Sequence, residues 1–191
     1  MKKKKIMPFA IIVLVFFAFQ SQNCKFPKDP QVKVAIKKVL ESKAEIGVVV
    51  DSDYYAYWKE RLDDPQDDTE SLVIEQGKIM DLGETNCEID KARVRYVGLV
   101  KFSKKSVKIL KKVYHENKKR YYDKDVPWLR SRSFKKAYMT SLLQAIINAG
   151  HEVKPIIIKR GWLEFDTEQD YERYIKWINE GTLIRFFDFE K

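Results

Sequence analysis

The sequence predicts an α/β fold, because segments with helical periodicity alternate with short runs of strand character along the chain. The composition supports one core: 45% of the 191 residues are hydrophobic and 13% are aromatic. No internal repeat or low-complexity run follows residue 23. We therefore expect one globular domain with helices on the faces of a sheet.

The first segment differs in character from the rest. Lys2 to Lys5 precede an almost unbroken apolar run, Ile6 to Phe19, and Cys24 sits where a bacterial lipoprotein carries its acylated cysteine. A basic stretch before a short apolar one is typical of a signal peptide, and a membrane-spanning helix needs about 20 apolar residues. We predict that residues 1–23 are a signal-peptide-like or membrane-anchor segment and that residues 25–191 form the domain. A genuine segment predicts an exported or membrane-attached protein, whereas a misplaced start or a gene break predicts a cytoplasmic one.

The first half of the domain contains two kinds of pattern. Apolar residues recur at i, i+3, i+4, i+7 and i+8 from Val32 to Leu40, which predicts an amphipathic helix. A β-branched run follows, and its unbroken apolar character suits a strand that is covered on both faces. The pair Gln76-Gly77 lies between two strand-like runs and predicts a tight hairpin. The predicted strands are Glu45 to Asp51, Leu72 to Glu75, Lys78 to Leu82 and Arg93 to Phe102.

The second half predicts two helices separated by a loop. Ser103 is placed to cap a helix, and we expect the charged, aromatic stretch from Lys118 to Arg132 to be a loop. Met139 to Ile147 has helical periodicity, and Gly150 is placed to end that helix in the left-handed conformation.

The end of the chain predicts two more strands and a last helix. The strands are Val153 to Ile158 and Trp162 to Phe165, and Thr167 with Asp170 forms a variant of the capping box. The apolar residues that we expect on the buried face of the last helix are Tyr171, Tyr174, Ile175 and Ile178.

The charge and the cysteine content restrict the partners. The 37 Lys and Arg exceed the 28 Asp and Glu, for a formal net charge of +9, which favours an anionic partner such as a nucleotide, a phosphorylated substrate or a membrane surface. Because the basic residues alternate with acids along the chain, we expect a mixed solvated surface and no nucleic-acid binding. Two cysteines and two histidines without paired spacing argue against a zinc site.

Four stretches resemble, in order, the second half of the nucleotidyltransferases that activate sugar phosphates, phosphocholine or phosphonates. The resemblance runs from about Val32 to Ile178. The stretches are Ile46 to Trp58 (IGVVVDSDYYAYW), Ser71 to Gly83 (SLVIEQGKIMDLG), Tyr96 to Ser103 (YVGLVKFS), and Ala137 to Tyr171 with its GWLEFDTEQDY.

The resemblance implies a fold and a reaction. The fold would be a Rossmann-like sheet, and the reaction would be attack by a substrate phosphate on the α-phosphorus of a nucleoside triphosphate, CTP above all, with pyrophosphate leaving. Mg²⁺ would offset the repulsion between the two anions. By position in the motif, Asp166 would bind the metal and Glu164 would be catalytic.

The remaining site residues have structural alternatives. An acid beside a helix start, such as Asp166, is favoured by the helix dipole alone. Tyr96 and Gly98 lie where relatives approach the substrate, although a packed strand would look the same, and Trp162 suits a substrate pocket or the core. Asp51 and Asp53 suit a turn better than a site.

The chain also departs from the family. The glycine-rich loop and Pro-Lys pair that cradle the triphosphate have no counterpart here, since the first glycine is Gly47 inside a predicted strand. Asp29 is the one acid near the position of the second metal ligand, and Ser141 replaces an acid of many relatives. We therefore expect a domain truncated at its N-terminal side and inactive alone, completed by a complementing half or by a second copy. The alternative is a non-catalytic, exported or lipid-anchored binding protein that reuses the substrate half of the fold.

Overall fold

The computed structural model describes residues 30–187, except for the side chains of residues 30–33 and 67. The predicted segment 1–23 and the predicted metal ligand Asp29 lie outside the described residues. The helices are α1 (Pro30–Glu41), α2 (Tyr55–Arg61), α3 (Ser106–Tyr121), α4 (Met139–Asn148) and α5 (Glu168–Asn179). The strands are β1 (Ile46–Asp51), β2 (Glu70–Glu75), β3 (Lys78–Thr85), β4 (Arg95–Phe102) and β5 (Lys154–Ile158).

The main sheet has the strand order β4-β1-β5. β1 is antiparallel to β4 and parallel to β5, and a bulge in the β1–β4 ladder lies between Val48 and Val50. Every residue of β1 is buried. The unbroken apolar run of this strand thus reflects cover on both faces, as the sequence predicts.

Two cores lie on opposite faces of β1. Val48 and Val50 pack with residues of the β2–β3 hairpin, α3 and α4, whereas Val49 packs with residues of α1, β4 and β5. The side chains of successive strand residues point to opposite faces, so one strand anchors both cores. The α/β class with helices on the sheet faces is confirmed. The described residues hold a three-stranded and a two-stranded sheet, and a truncated Rossmann-like sheet stays a prediction.

The predicted hairpin is present. Gln76 and Gly77 have φ of 49° and 75°, the left-handed pair of a type I′ turn that joins β2 to β3. β3 packs closely on α4: Gln144 Oε1 accepts a hydrogen bond of 2.9 Å from Leu82 N. A Cβ built on Gly83 would lie 2.9 Å from Thr140 Cβ, so the strand and the helix approach each other without room for a side chain.

α2 and α5 form a third, aromatic cluster. Tyr54, Tyr57 and Trp58 pack against Tyr174 and Trp177. The expected buried face of α5 is therefore confirmed at Tyr174 and wrong elsewhere, because the helix buries Asp170 and Trp177 beside it. The other apolar residues expected on this face are exposed: Tyr171 by 55%, Ile175 by 40% and Ile178 by 52%.

Two other boundaries differ from the prediction. The segment 162–165 forms no strand, because no described strand pairs with it. α3 continues to Tyr121, four residues into the stretch expected to be a loop, and the positive charges of Lys118, Lys119 and Arg120 in its last turn favour that extension. Gly150 does end α4 with a φ of 82°, as expected. Within residues 30–187, no helix has the length and apolar character needed to cross a membrane.

Candidate functional site

The two acids of the GWLEFDT stretch lie close together in the irregular segment between β5 and α5. Asp166 Oδ2 is 2.6 Å from Nη2 of Arg61, and Glu164 Oε2 is 3.5 Å from Nη1 of the same residue. One guanidinium from α2 therefore holds both residues for which the resemblance implies a role.

The aromatic face of α2 buries Arg61. Tyr54, Tyr57, Trp58 and Arg61 follow the helical spacing i, i+3, i+4 and i+7, and all four are at least 95% buried. A buried guanidinium requires a paired carboxylate, which Asp170 of α5 supplies. Arg61 Nε donates to Asp170 Oδ1 over 2.9 Å and Nη2 donates to Oδ2 over 3.0 Å, a two-pronged pairing with fixed orientation.

Asp170 also completes the start of α5. Its backbone N–H donates to Thr167 Oγ1 over 3.1 Å, and its Oδ2 accepts from Thr167 N over 3.0 Å, so the predicted capping box is confirmed. Asp166 N donates to the same Oδ2 over 3.1 Å. Burial opposes ionisation of Asp170, but the hydrogen bonds and charge of Arg61 outweigh it, and the pKa of this carboxyl is lowered.

A second arginine, Arg95 of β4, lies beside the first. It donates from Nη1 to the Asp68 carbonyl over 2.7 Å and from Nη2 to Asp68 Oδ2 over 3.1 Å. Its Nε lies 3.7 Å from Glu164 Oε1, too far for a hydrogen bond, and is a buried polar atom without a hydrogen-bond partner among the described residues. Both guanidiniums stack on Trp58, with Cζ 5.0 Å from the ring centroid for Arg61 and 4.6 Å for Arg95.

We call this group the ionic cluster: Arg61, Arg95, Asp68, Glu164, Asp166 and Asp170. Glu164 is its most perturbed acid. Burial raises the pKa of Glu164 to about 7, although the charges of Arg95 and Arg61 oppose the increase. A carboxyl group that exchanges its proton near neutral pH is suited to general acid or base chemistry.

The cluster offers little to a metal on its own. Within residues 30–187, no group of three or more His, Cys, Asp or Glu side chains is arranged to hold a metal ion. The Asp166 side chain is 30% exposed and is engaged by Arg61 through one oxygen. Mg²⁺ is commonly held by one or two carboxylates together with substrate phosphates, so Asp166 suits a single protein ligand rather than a complete cage.

The structure separates the other predicted site residues. Tyr96 follows Arg95 on β4 and packs into the core that contains Val48, and its pKa is raised by burial. Gly98 is exposed near the bulge of the ladder, with a φ of 79° and open space where a Cβ would stand. Trp162 is partly buried against the core on the opposite face of β1, so the structure does not bring it together with Tyr96.

Asp51 and Asp53 form a turn, as expected. Asp51 Oδ1 accepts from Asp53 N and from Arg160 N, each over 2.9 Å, and Asp53 Oδ2 pairs with Arg160 Nε at 2.5 Å. Burial raises the pKa of Asp51. These contacts close the end of β1 against the residues after β5.

Sequence reasoning missed both arginines of the cluster. The many charges from Trp58 to Asp68 are typical of a solvated helix end and turn, yet Trp58 and Arg61 are buried. The helical spacing of Arg61 relative to Tyr54, Tyr57 and Trp58 is the signal that could have found it. Arg95 has no comparable signal, since it lies at a strand start where an exposed cation is common.

The chain is similar to a curated cytidylyltransferase. It is 30% identical over 141 residues to the CTP:phosphoglutamine cytidylyltransferase of Campylobacter jejuni subsp. jejuni serotype O:2, over 74% of this chain and 53% of the relative. The chain thus spans about half the length of this curated relative. No family model matches the chain, and no solved structure matches it significantly. The similarity supports a cytidylyltransferase-like family, in agreement with the resemblance seen in the sequence.

Proposed function

We propose that the ionic cluster is the acceptor side of a nucleotidyltransferase active site, and that a part outside residues 30–187 supplies the nucleotide-binding side. The observation that carries the proposal is the convergence of Glu164 and Asp166, from the family-like GWLEFDT stretch, on the two guanidiniums of Arg61 and Arg95. The reaction would transfer the cytidylyl group of CTP to a phosphorylated small molecule.

The residues of the ionic cluster would have different roles in the reaction. Arg61 holds Asp166 at the surface, where its carboxylate would serve as the one protein ligand of Mg²⁺, with phosphate oxygens completing the shell. When bound, the metal would neutralise charge on the phosphates. Arg95 has an unsatisfied buried Nε beside Glu164, which suits a group that rearranges its contacts when an anion arrives. Glu164, with a pKa of about 7, would hold or release a proton next to that anion.

The acceptor would carry a phosphate. Its oxygen would form the new bond to the α-phosphorus of CTP as the bond to the pyrophosphate breaks, and pyrophosphate would leave. Tyr96 and Gly98 extend β4 beyond Arg95, and the open space at Gly98 would allow close approach of a ligand to the backbone. Phosphoglutamine, which the name of the relative specifies, is the first acceptor to test, followed by phosphocholine and sugar phosphates.

The test is reconstitution. We expect no pyrophosphate release by the chain alone from CTP, Mg²⁺ and each acceptor. We expect release when the part of the Campylobacter relative that this chain does not match is supplied as a separate polypeptide. Asp166→Asn should then lower the rate by two or more orders of magnitude, as loss of several kcal/mol of transition-state stabilisation requires.

A matched control lies on the same helix start. Glu168 is exposed in the first turn of α5, and Glu168→Gln removes the same charge without touching Arg61. Equal and small effects of the two variants would show that Asp166 is only a helix-start acid. Turnover by the chain alone would refute the need for a second part.

A non-catalytic binding protein is the second candidate, favoured by the Arg61 contact that occupies one Asp166 oxygen. This alternative predicts that the chain binds a phosphorylated small molecule in calorimetry without Mg²⁺ or CTP, and that Asp166→Asn leaves the affinity unchanged. Binding that requires Mg²⁺ would count against it.

A further inference from the structure

The net positive charge of the chain is concentrated in one segment. Residues 104–136 contain 13 Lys and Arg and 3 Asp and Glu, a net charge of +10, against +9 for the whole chain. The expectation of a mixed surface with scattered basic residues is therefore wrong for this segment, which comprises all of α3 and the residues that follow it. The rest of the chain is close to neutral.

Little of this charge is neutralised within the fold. Ion pairs within the described part of the chain engage Lys112, Lys135 and Arg130. The other ten basic residues of the segment have no ion pair with any described residue, and nine of them are exposed. They are Lys104, Lys105, Lys108, Lys111, Lys118, Lys119, Arg120, Lys124, Arg132 and Lys136, of which Lys118 is partly buried.

An aromatic groove lies in the same part of the structure, and Lys135 is among its lining residues. Its volume is about 500 Å³, with Trp128 and Phe134 among its lining residues. Three tyrosines on the groove wall, Tyr114, Tyr122 and Tyr138, are 36%, 40% and 61% exposed. We call the groove together with the cations of residues 104–136 the basic aromatic face.

Lysines stand over the exposed rings. Lys118 Nζ lies 4.9 Å and Lys135 Nζ 4.5 Å from the ring centroid of Tyr122, and Lys118 Nζ is 5.9 Å from that of Tyr114. The aliphatic side chains of Val126 and Leu129 are each 40% exposed in the same segment. At the groove, exposed aromatic rings and lysine ammonium groups therefore lie side by side.

We propose that the basic aromatic face docks on an anionic phospholipid membrane. Tyrosine rings suit the headgroup level of a bilayer, because one end is apolar and the other polar, and lysine clusters are attracted to anionic lipid. The N-terminal segment points to the same partner by an independent route, since Lys2 to Lys5 and the apolar run Ile6 to Phe19 predict membrane attachment. Stable membrane binding generally takes two signals, and the basic aromatic face supplies the second.

Vesicle binding by the full chain tests the proposal, and it does not depend on the proposed enzymatic function. The probes are phosphatidylcholine vesicles and vesicles of phosphatidylcholine mixed with phosphatidylglycerol, at low and moderate salt. The N-terminal segment would bind both kinds, and Lys2 to Lys5 would add a phosphatidylglycerol-dependent part of their own. The measured quantity is therefore the loss of phosphatidylglycerol-dependent partitioning that substitutions in the basic aromatic face cause. Each lysine near an anionic surface contributes about five-fold to that partitioning.

The key variant is Lys111→Gln/Lys118→Gln, which removes two charges from α3. We expect its phosphatidylglycerol-dependent partitioning to fall by about 25-fold. The matched control is Lys43→Gln/Lys159→Gln, which removes two exposed lysines from other parts of the surface and should change partitioning less than two-fold. Tyr122→Ser should weaken binding to the same vesicles at every salt concentration, because it removes an apolar contact.

Three results would overturn the proposal. The first is that phosphatidylglycerol adds nothing to vesicle binding by the full chain, and the second is that the two double variants lose partitioning equally. The third is that a single-stranded RNA oligonucleotide or an acidic protein is bound in a way that depends on Lys111 and Lys118 while vesicles are not, which would assign the face to that partner.

Discussion

Replacing Arg61 by methionine should be among the most destabilising single changes available in this domain. The side chains of Arg61 and Asp170 are each only 3% exposed, and the methionine would leave the Asp170 carboxylate buried without its cation. Breaking a buried ion pair by removal of one partner costs about 3 to 5 kcal/mol. Since small domains have unfolding free energies of about 5 to 15 kcal/mol, the variant should lose a large fraction of its stability.

The assay is equilibrium urea unfolding followed by tryptophan fluorescence, to which Trp58 contributes from beneath both guanidiniums. The control is Lys37→Met, which breaks the Lys37–Glu41 pair between side chains that are 75% and 63% exposed. That change should cost no more than about 0.5 kcal/mol.

A double variant separates the ion pair from the packing of Arg61. Arg61→Met/Asp170→Asn should lose less stability than the sum of the two single variants, by at least about 1 kcal/mol, because the second change removes the unpaired charge. A loss below about 1 kcal/mol for Arg61→Met, or strict additivity in the double variant, would refute the assignment of Arg61 as the buried centre of the cluster.

Three further predictions concern pH, the N-terminus and the hairpin. The raised pKa of Glu164 means that the folded state retains a proton that the unfolded state releases, so the contribution of this group to stability is complete below pH about 4.5 and is lost by pH about 7. Between those values the free energy of unfolding of the unsubstituted chain, measured with urea, should fall by roughly 3 kcal/mol more than that of Glu164→Gln. Parallel pH profiles of the two proteins would contradict this. Deleting residues 1–23 should leave the thermal midpoint unchanged within error, whereas loss of the unfolding transition would place the apolar run in the core. Gly83→Ala should lower the urea midpoint by the equivalent of about 1 to 3 kcal/mol, because the new methyl group would meet Thr140 and because φ at this position is 87°, and an unchanged midpoint would show that α4 can move aside.

The parts of the fold that could be read from the sequence are those whose signal is local. The apolar run of β1, the Gln76-Gly77 turn and the periodicity of α4 each report on their own segment, and all three are present as expected. The capping box of Thr167 and Asp170 is also local, because its two residues are three positions apart.

The parts that could not be read depend on partners distant in the chain. The segment 162–165 has strand composition, but a strand needs a neighbour to pair with, and none of the described strands is beside it. In α5, apolar residues occur on two sides, so periodicity alone does not decide which side is buried; the aromatic residues of α2 decide it in favour of Tyr174 and Trp177.

The candidate site shows the same division. The resemblance directs attention to Glu164 and Asp166, which the structure brings together, yet it does not indicate Arg61, which lies 105 positions from Asp166. An ionic cluster built from α2, β4 and α5 is assembled only when three distant segments meet. The roles of Glu164, Asp166, Tyr96, Gly98 and Trp162 in binding or catalysis stay predictions.

The double use of the Asp170 carboxylate links two events that are separate in most proteins. One of its oxygens closes the first turn of α5 and also binds Arg61, so fraying of this helix end and release of the guanidinium are one local opening. Opening of that turn also releases the backbone N–H of Asp166, which is bound to the same oxygen. Hydrogen exchange at the amides of Asp166, Thr167 and Asp170 would thus report the strength of the whole cluster, and a ligand that tightens one contact would slow exchange at all three.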